Sequence, residues 1–505
     1  MPAMKITVPA PLLLAYLVTT ASAVVAAETA KPVLAASGAD VIGNSTVQVF
    51  ATRRDPDFGK PWTKQAPHEL TGSGVIIDGK RILTNAHVVT FASQIQVQAN
   101  HAGDKVAAQV LSISPDMDLA VLKLDDETFF DTRPPVPRAD RLPAVKDTVM
   151  VYGYPTGGSS LSVTKGIVSR IEFTPYSTNQ SGLRIQVDAA INHGNSGGPV
   201  IADDKMIGLA FGQLGNAQSI GYIIPCEEIE LYLRDVADGK FDGKPSMYDE
   251  LQTLENPALR AFLKLDKSAA GIVVHKPVAA TANYPLKKWD LITRIGDTNI
   301  DDQGMVNLGN NLRVRFTYLI QKLAKNGKVP LTVVRAGKPM SIDVPLASSR
   351  PMVIPDLPGT YPSYFIYGPL VFSAASLQGL RSYGGFGALG TALTSRLFEP
   401  PAFPGEEIVV VASPLFPHKM STGYSSPAGH VVAAVNHIAI KNLRHLVQAL
   451  RDSHDTYVVV EFAGQGSEDL VFDRKQALAA TEEILTDNGI RARGSKDTLD
   501  VWNGK

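Results

Sequence analysis

The segment Asn192-His193-Gly194-Asn195-Ser196-Gly197-Gly198-Pro199 surrounds one serine with three glycines. Glycine lets a backbone turn tightly and approach another group closely, and amide N–H groups presented by such a turn can stabilise an oxyanion. The backbone of Gly194, Asn195 and Ser196 is the candidate oxyanion hole, with the N–H groups of Gly194 and Ser196 as donors. Each such donor is worth about 3–4 kcal/mol to a tetrahedral intermediate in comparable sites. A serine hydroxyl is a weak nucleophile until a base takes its proton. The loop therefore has chemistry only if an imidazole and an orienting carboxylate lie elsewhere in the chain.

Both are present, in the order His, Asp, Ser. Thr84-Asn85-Ala86-His87-Val88-Val89 ends a strand-like run with a histidine, and Asp116-Met117-Asp118-Leu119-Ala120-Val121-Leu122 opens one with an aspartate. Spacings of 31 residues from His87 to Asp118 and 78 from Asp118 to Ser196 suit an acyl-transfer site between two β-barrels. Asp116 is the rival carboxylate. Asp118 directly abuts the apolar run, where a buried acid can face the imidazole, whereas Asp116 is expected to stay solvated. Singly, each element has a plainer reading: a Gly-rich loop is commonly a turn and a single histidine commonly structural. The nine other histidines have no comparable context, and His193 is expected to face solvent. Together the three elements point to His87, Asp118 and Ser196 as one proton-transfer line. An esterase using the same serine is the weaker reading, because no strand-to-helix elbow surrounds Ser196.

These segments must be positioned by a larger fold. With 505 residues, the chain is too long for one ordinary core and is expected to hold several domains. Hydrophobic residues make up 44% and charged residues 19%, the balance of a globular protein. The net charge is −1 and no long basic run occurs, which argues against nucleic acid as a partner. The lone cysteine, Cys226, has no thiol to pair with and reads as a small buried hydrophobe. Residues 1–27 read as a cleaved export signal, with Lys5 before the apolar run Leu12-Leu13-Leu14-Ala15-Tyr16-Leu17-Val18 and small-residue sites after it. Residues 28–45 read as a linker.

Residues 46–236 alternate strand-like runs with turns, including Gly74-Val75-Ile76-Ile77 and Arg81-Ile82-Leu83-Thr84 around an Asp78-Gly79 hairpin signal. A helix near 227–236 would close this all-β unit. After a linker at 237–247, two smaller α+β units, 246–348 and 360–480, share a weak internal repeat. The first carries a strand–turn–strand pattern at 289–300, a helix expected at 313–325 and a strand at 329–334. The second repeats it at 429–440, with a helix at 442–451 whose Leu443, Leu446, Val447 and Leu450 share one face, and a strand at 457–462. Residues 481–505 read as a C-terminal tail, and 351–404 resist placement.

The segments Gly72-Ser73-Gly74-Val75-Ile76-Ile77, Thr84-Asn85-Ala86-His87-Val88-Val89, Asp118-Leu119-Ala120-Val121-Leu122 and Gly194-Asn195-Ser196-Gly197-Gly198-Pro199 resemble the HtrA/Deg family of serine proteases. The stretch 55–62, Thr422-Gly423-Tyr424 and Asn442-Leu443-Arg444-His445-Leu446 resemble its plant-type Deg branch with two PDZ-like units. The resemblance implies a mainly β fold: a chymotrypsin-like double β-barrel followed by two PDZ-like α+β domains. It implies a cofactor-free, ATP-independent endopeptidase acting on misfolded or unfolded proteins, assembled as trimers or hexamers, while the export signal points to the periplasm as its compartment in a Gram-negative source. PDZ-like units would bind peptides by strand addition, although the stretch 246–251 of the first lacks the glycines of a carboxylate loop and carries two acids.

In trypsin-like enzymes the position six before the serine lines the base of the specificity pocket. Here it is Ala190, so no charge awaits a basic side chain, and Ile191, Leu209 and Phe211 are the expected pocket walls. Cleavage after small or medium aliphatic residues follows, the plainer reading being that Ile191 and Phe211 are barrel core. Phe58 and Trp62 could serve a trimer contact or local packing. The segments 155–161, 173–182 and 212–218 are the loops that such a family would switch around an oxyanion hole. A protein that only binds partners, as a chaperone or scaffold, is the competing class; an intact triad argues against it.

Overall fold

The computed structural model describes residues 38–504 except 101, 157, 159, 176–179, 214–220, 280, 282, 310–311, 358, 383–390 and 465–466. The expected signal at 1–27 lies outside the described residues. The expected linker 28–45 is in part helical: α1 (Gly38–Ser45) leads straight into the first strand, with Ile42 and Ser45 buried.

Twelve strands follow: β1 (Thr46–Arg53), β2 (His68–Ile77), β3 (Arg81–Thr84), β4 (Ala92–Ala99), β5 (Val106–Ser114), β6 (Leu119–Leu124), β7 (Thr148–Gly153), β8 (Ser162–Pro175), β9 (Ser181–Val187), β10 (Pro199–Ala202), β11 (Lys205–Gln213) and β12 (Gly221–Pro225). They close into two six-stranded barrels, β1-β2-β3-β6-β5-β4 and β10-β11-β12-β9-β8-β7. Turn chemistry sets the pairings. Asp203 and Asp204 both take positive φ, 48° and 58°, in the tight turn that pairs Ala202 with Lys205, and the turn after β2 uses Gly79 at 82° and Lys80 at 53°. Left-handed turn residues match the natural twist of a hairpin.

Val47, Val49, Ile76, Ile82, Val97 and Leu122 fill the first barrel; Val149, Val151, Ile185, Val187 and Ile223 fill the second. Full burial of such a side chain is worth about 1.5–3 kcal/mol. A third cluster, with Val75, Leu83, Met117, Tyr152, Leu209 and Tyr232, lies along the seam between barrels. His87 follows β3 and Asp118 precedes β6 of the first barrel, while Ser196 precedes β10 of the second. Helix α3 (Cys226–Asp235) caps the seam as expected, with Ile229 and Tyr232 buried. The Cys226 thiol is buried, donates to the Met206 carbonyl at 2.9 Å and is pushed by burial up to about 12, which leaves it inert.

In the first C-terminal unit, strands Glu250–Gln252, Ile272–Lys276, Leu291–Ile295, Lys328–Arg335 and Lys338–Pro345 form one antiparallel sheet. The helix expected at 313–325 is instead a strand, Arg313–Arg315, then a 3-10 turn, Phe316–Leu319, and a short helix, Ile320–Leu323. Arg313-Val314-Arg315 alternates exposed and buried positions, a period-two pattern that pairs with Met305–Asn307. Phe173 and Leu183 of the second barrel share a core with Tyr318 and Ile320 of this unit. The linker between them is not loose: Lys244 is buried on the equally buried Glu228 at 2.6 Å.

The second unit carries strands Val432–Val435, Ile438–Ala439 and Tyr457–Phe462 and the amphipathic helix Leu443–Asp452, as the periodicity predicts. The unplaced region contains the hairpin Tyr364–Tyr367 and Leu370–Ala374. The described part of the expected tail, 481–504, is folded. Helix Arg474–Asp487 buries Ala477, Thr481 and Ile484, and helix Lys496–Trp502 buries Thr498, whose hydroxyl donates to the Tyr364 carbonyl at 2.8 Å. Trp62 stacks at 5.4 Å on Phe416 of this unit, so this aromatic packs within the chain. No helix among the described residues is long and apolar enough to cross a membrane.

Candidate active site

His87 sits on α2 (Ala86–Val89), the single helical turn that follows β3. Asp118 closes the turn before β6, at φ 57°, a left-handed conformation that aspartate tolerates better than most residues. That turn aims its carboxylate at α2. Oδ1 accepts the His87 backbone N–H at 2.8 Å, and Oδ2 pairs with His87 Nδ1 at 2.7 Å. Asn85 Nδ2 donates to the Asp118 carbonyl at 2.9 Å, fastening the two segments a third time. A carboxylate only accepts, so Nδ1 carries the hydrogen and Nε2 is left as the basic nitrogen. Asp118 is 9% exposed. Asp116 is half-buried beside Tyr248, away from the imidazole pairing.

The serine loop is held mostly by backbone. Ser73 N–H donates to the Ser196 carbonyl at 2.8 Å, while the Ser73 hydroxyl donates to the Gly194 carbonyl at 2.7 Å and accepts from Tyr154 N–H at 2.8 Å. Ser73 has no role in the sequence reading of the site; its small hydroxyl between two glycines is the signal that marks it. The glycines are steric requirements. A Cβ on Gly198 would stand 1.9 Å from the Tyr152 carbonyl oxygen, and one on Gly197 (φ 87°) 2.1 Å from that of Ser73. Ser196 therefore projects from a loop wedged between Tyr152 of its own barrel and Ser73 of the other.

Among the described residues, no acceptor pairs with the N–H of Gly194 or Ser196. The Asn195 N–H departs from expectation: it donates to the Asn192 carbonyl at 3.0 Å and is not available to an oxyanion. The Ser196 hydroxyl donates to the Phe211 carbonyl at 3.2 Å, and among the described residues no hydrogen bond joins it to His87. His193 is exposed, as expected.

The expected pocket is only partly formed by its predicted residues. Ala190 is exposed and Phe211 half-buried, with the Arg184 guanidinium 5.1 Å from the Phe211 ring. Ile191 (2% exposed) packs inside the second barrel and Leu209 (0%) in the seam, so both are core rather than pocket wall. Parts of the three expected switch loops, 157, 159, 176–179 and 214–218, lie outside the described residues. In the first C-terminal unit, Asp249 is buried, accepting from Val278 N–H at 2.9 Å and Tyr284 O–H at 2.8 Å. Among the described residues no group of His, Cys, Asp and Glu side chains is placed to hold a metal ion.

Two closed barrels with a serine, a histidine and an aspartate at their seam define a trypsin-like serine peptidase. The family model of the trypsin-like peptidase domain matches residues 72–209, and that of the PDZ domain matches 354–497. Protease Do-like 2, chloroplastic, of Arabidopsis thaliana is 35% identical over 465 residues, 91% of this chain and 76% of that protein. Protease Do-like 4, mitochondrial, of the same plant is 34% identical over 416 residues, 82% of this chain and 77% of that protein. The chain belongs to the Do-like (Deg/HtrA) protease family. The solved structure of the HtrA-type protease AlgW with a decapeptide aligns at a TM-score of 0.48 and 24% identity, covering 63% of this chain and 100% of that one.

Proposed function

We propose that this protease is an ATP-independent endopeptidase that hydrolyses unfolded or misfolded proteins through an acyl-enzyme, with Ser196 as nucleophile, His87 as general base and Asp118 as its orienting acid. The observation that carries this reading is the double grip of the Asp118 carboxylate on the backbone and ring of His87. Once the Ser196 proton turns from Phe211 toward His87, Nε2 takes it while Oγ bonds to the scissile carbonyl carbon. The N–H groups of Gly194 and Ser196 receive the oxyanion. The imidazolium then protonates the leaving nitrogen, the C–N bond breaks, and the acyl ester remains on Ser196. Water, deprotonated by His87, attacks that ester; the carboxylic product departs and the hydroxyl is restored.

The uncharged Ala190 and the half-buried Phe211 support a preference for small aliphatic residues before the cut. The matched PDZ domain, and the 246–348 unit read as PDZ-like, support extended peptides as ligands. Asp249, sealed by Val278 and Tyr284, argues against capture of a chain-terminal carboxylate in the first unit. Homotrimers or hexamers are the assembly this reading expects, with Phe58 rather than Trp62 left as the aromatic for such a contact. The export signal read at 1–27 supports delivery across a membrane. The periplasm follows from that signal alone, and the chloroplastic and mitochondrial names of the relatives favour an organelle-type compartment instead.

The test compares wild type with Ser196→Ala on casein. Loss of cleavage with binding retained supports the proposal; equal cleavage by both proteins rejects the site. A protein that binds casein and cleaves it in neither form would be the chaperone or scaffold.

A further inference from the structure

The peptide that carries His87 is held at both ends. Asp118 grips its start; Arg53, the last residue of β1, reaches its far side. Arg53 Nη1 donates to the His87 carbonyl oxygen at 3.0 Å, and Nη2 pairs with Asp55 Oδ1 at 2.6 Å. The need for such a donor comes from the shortness of α2. In a longer helix the His87 carbonyl would accept from the N–H four residues on, which here belongs to Phe91. Phe91 sits at φ 60° and the chain leaves the helix before it, so the His87 carbonyl is one of the orphan acceptors of a helix end. A guanidinium supplies the missing donor through a charge-assisted bond, and a cation is favoured where helix carbonyls converge.

The local strand geometry aims Arg53 there. The register of β1 against β4 shifts between Thr52 and Arg53, an irregularity of the kind that redirects a side chain at a barrel rim. The corner is braced from outside. Arg54 N–H donates to the Phe91 carbonyl at 3.1 Å, and Tyr361, near the start of the matched PDZ domain, donates its hydroxyl to the Arg54 carbonyl at 2.9 Å while its ring lies 5.3 Å from Phe91.

We propose that Arg53 is a positioning residue for His87, oriented by Asp55, and that it fixes the placement of the base as Asp118 fixes its direction. This rests on the reading of His87 as the general base. The experiment measures kcat, KM and the thermal unfolding midpoint of Arg53→Ala, Arg53→Lys and Asp55→Asn on a quenched peptide, with a fluorophosphonate probe reporting Ser196 directly. Displacing a base by a fraction of an ångström should lower kcat about 10- to 100-fold in Arg53→Ala with KM within about twofold of wild type. Arg53→Lys should recover part of that loss, because an ammonium can still reach the carbonyl, and Asp55→Asn should fall between.

Wild-type kcat in Arg53→Ala overturns the proposal. So does a loss shared by kcat, KM and midpoint that Arg53→Lys does not relieve, since that pattern marks a purely structural contact. Should Arg53→Ala fail to fold, the lysine and Asp55→Asn variants carry the test alone. A wild-type protein that neither cleaves nor takes the probe would instead sink the reading of the site itself.

Discussion

The hydroxyl of Ser196 donates to the carbonyl oxygen of Phe211, at 3.2 Å, on strand β11. Rotation of a hydroxyl is fast, so this bond sets no kinetic barrier by itself. It does compete with His87 for the proton for as long as no other donor occupies the Phe211 carbonyl. A substrate amide N–H that took that carbonyl would release the hydroxyl to the base. A peptidyl phosphonate bearing such an N–H should therefore label Ser196 faster at saturation than an alkyl phosphonate lacking it. A neutral hydrogen bond of this kind has a net worth that corresponds to about 2- to 10-fold in rate. Equal saturating rates would show that the Phe211 carbonyl plays no part.

The buried pair of Lys244 and Glu228, 7% and 0% exposed, ties the linker to the barrel. Burial pushes the Lys244 ammonium below its ordinary value, while Glu228 pulls the other way. Glu228 also accepts Leu183 N–H at 2.9 Å, so removing only the lysine strands a carboxylate in the interior. Lys244→Met should cost about 3–5 kcal/mol. The double variant with Glu228→Gln should recover most of that loss, because the amide keeps the acceptor for Leu183 without the charge. Urea midpoints measure both, and a double variant no better than the single one would contradict the account.

Asp249 should make stability depend on pH in the direction opposite to that of a salt-bridged acid. Burial raises its carboxyl above the ordinary value, against the hydrogen bonds from Val278 and Tyr284. Between the ordinary and the raised value, the folded protein keeps a proton that the unfolded chain has released, so folding gains as pH falls through that window. Above the window the buried charge carries its full penalty. The melting temperature of wild type minus that of Asp249→Asn should rise from pH 7 toward about pH 4, the ordinary carboxylate range. A difference that is flat or falls would place the carboxyl outside this scheme.

Much of the fold and site was legible because it is written in short-range patterns. Glycines around Ser196, the Asp78-Gly79 turn and the apolar face of the helix Leu443–Asp452 each state a local demand on backbone or spacing. Asp118 over Asp116 followed from its place directly against an apolar strand, where the turn before β6 does bring it to His87. What was missed depends on partners far along the chain. Ile191 read as pocket or core and Leu209 as a pocket wall, and only barrel closure buries both. The Asn195 N–H looked like its neighbours until the loop turned it onto Asn192. The last helices read as a tail because their apolar faces are weak alone and are completed by Tyr364 and Phe365 of a hairpin more than a hundred residues earlier.

By itself, then, the order and types of residues determined which atoms could take part in acyl transfer and which backbone turns had to be glycine, since both are properties of a few neighbouring residues. Only the tertiary structure decided where the Ser196 proton rests, which amides stay open, and that Arg53 meets the peptide carrying His87. Those are distances between segments that no local pattern encodes, set by how two barrels close and press against each other.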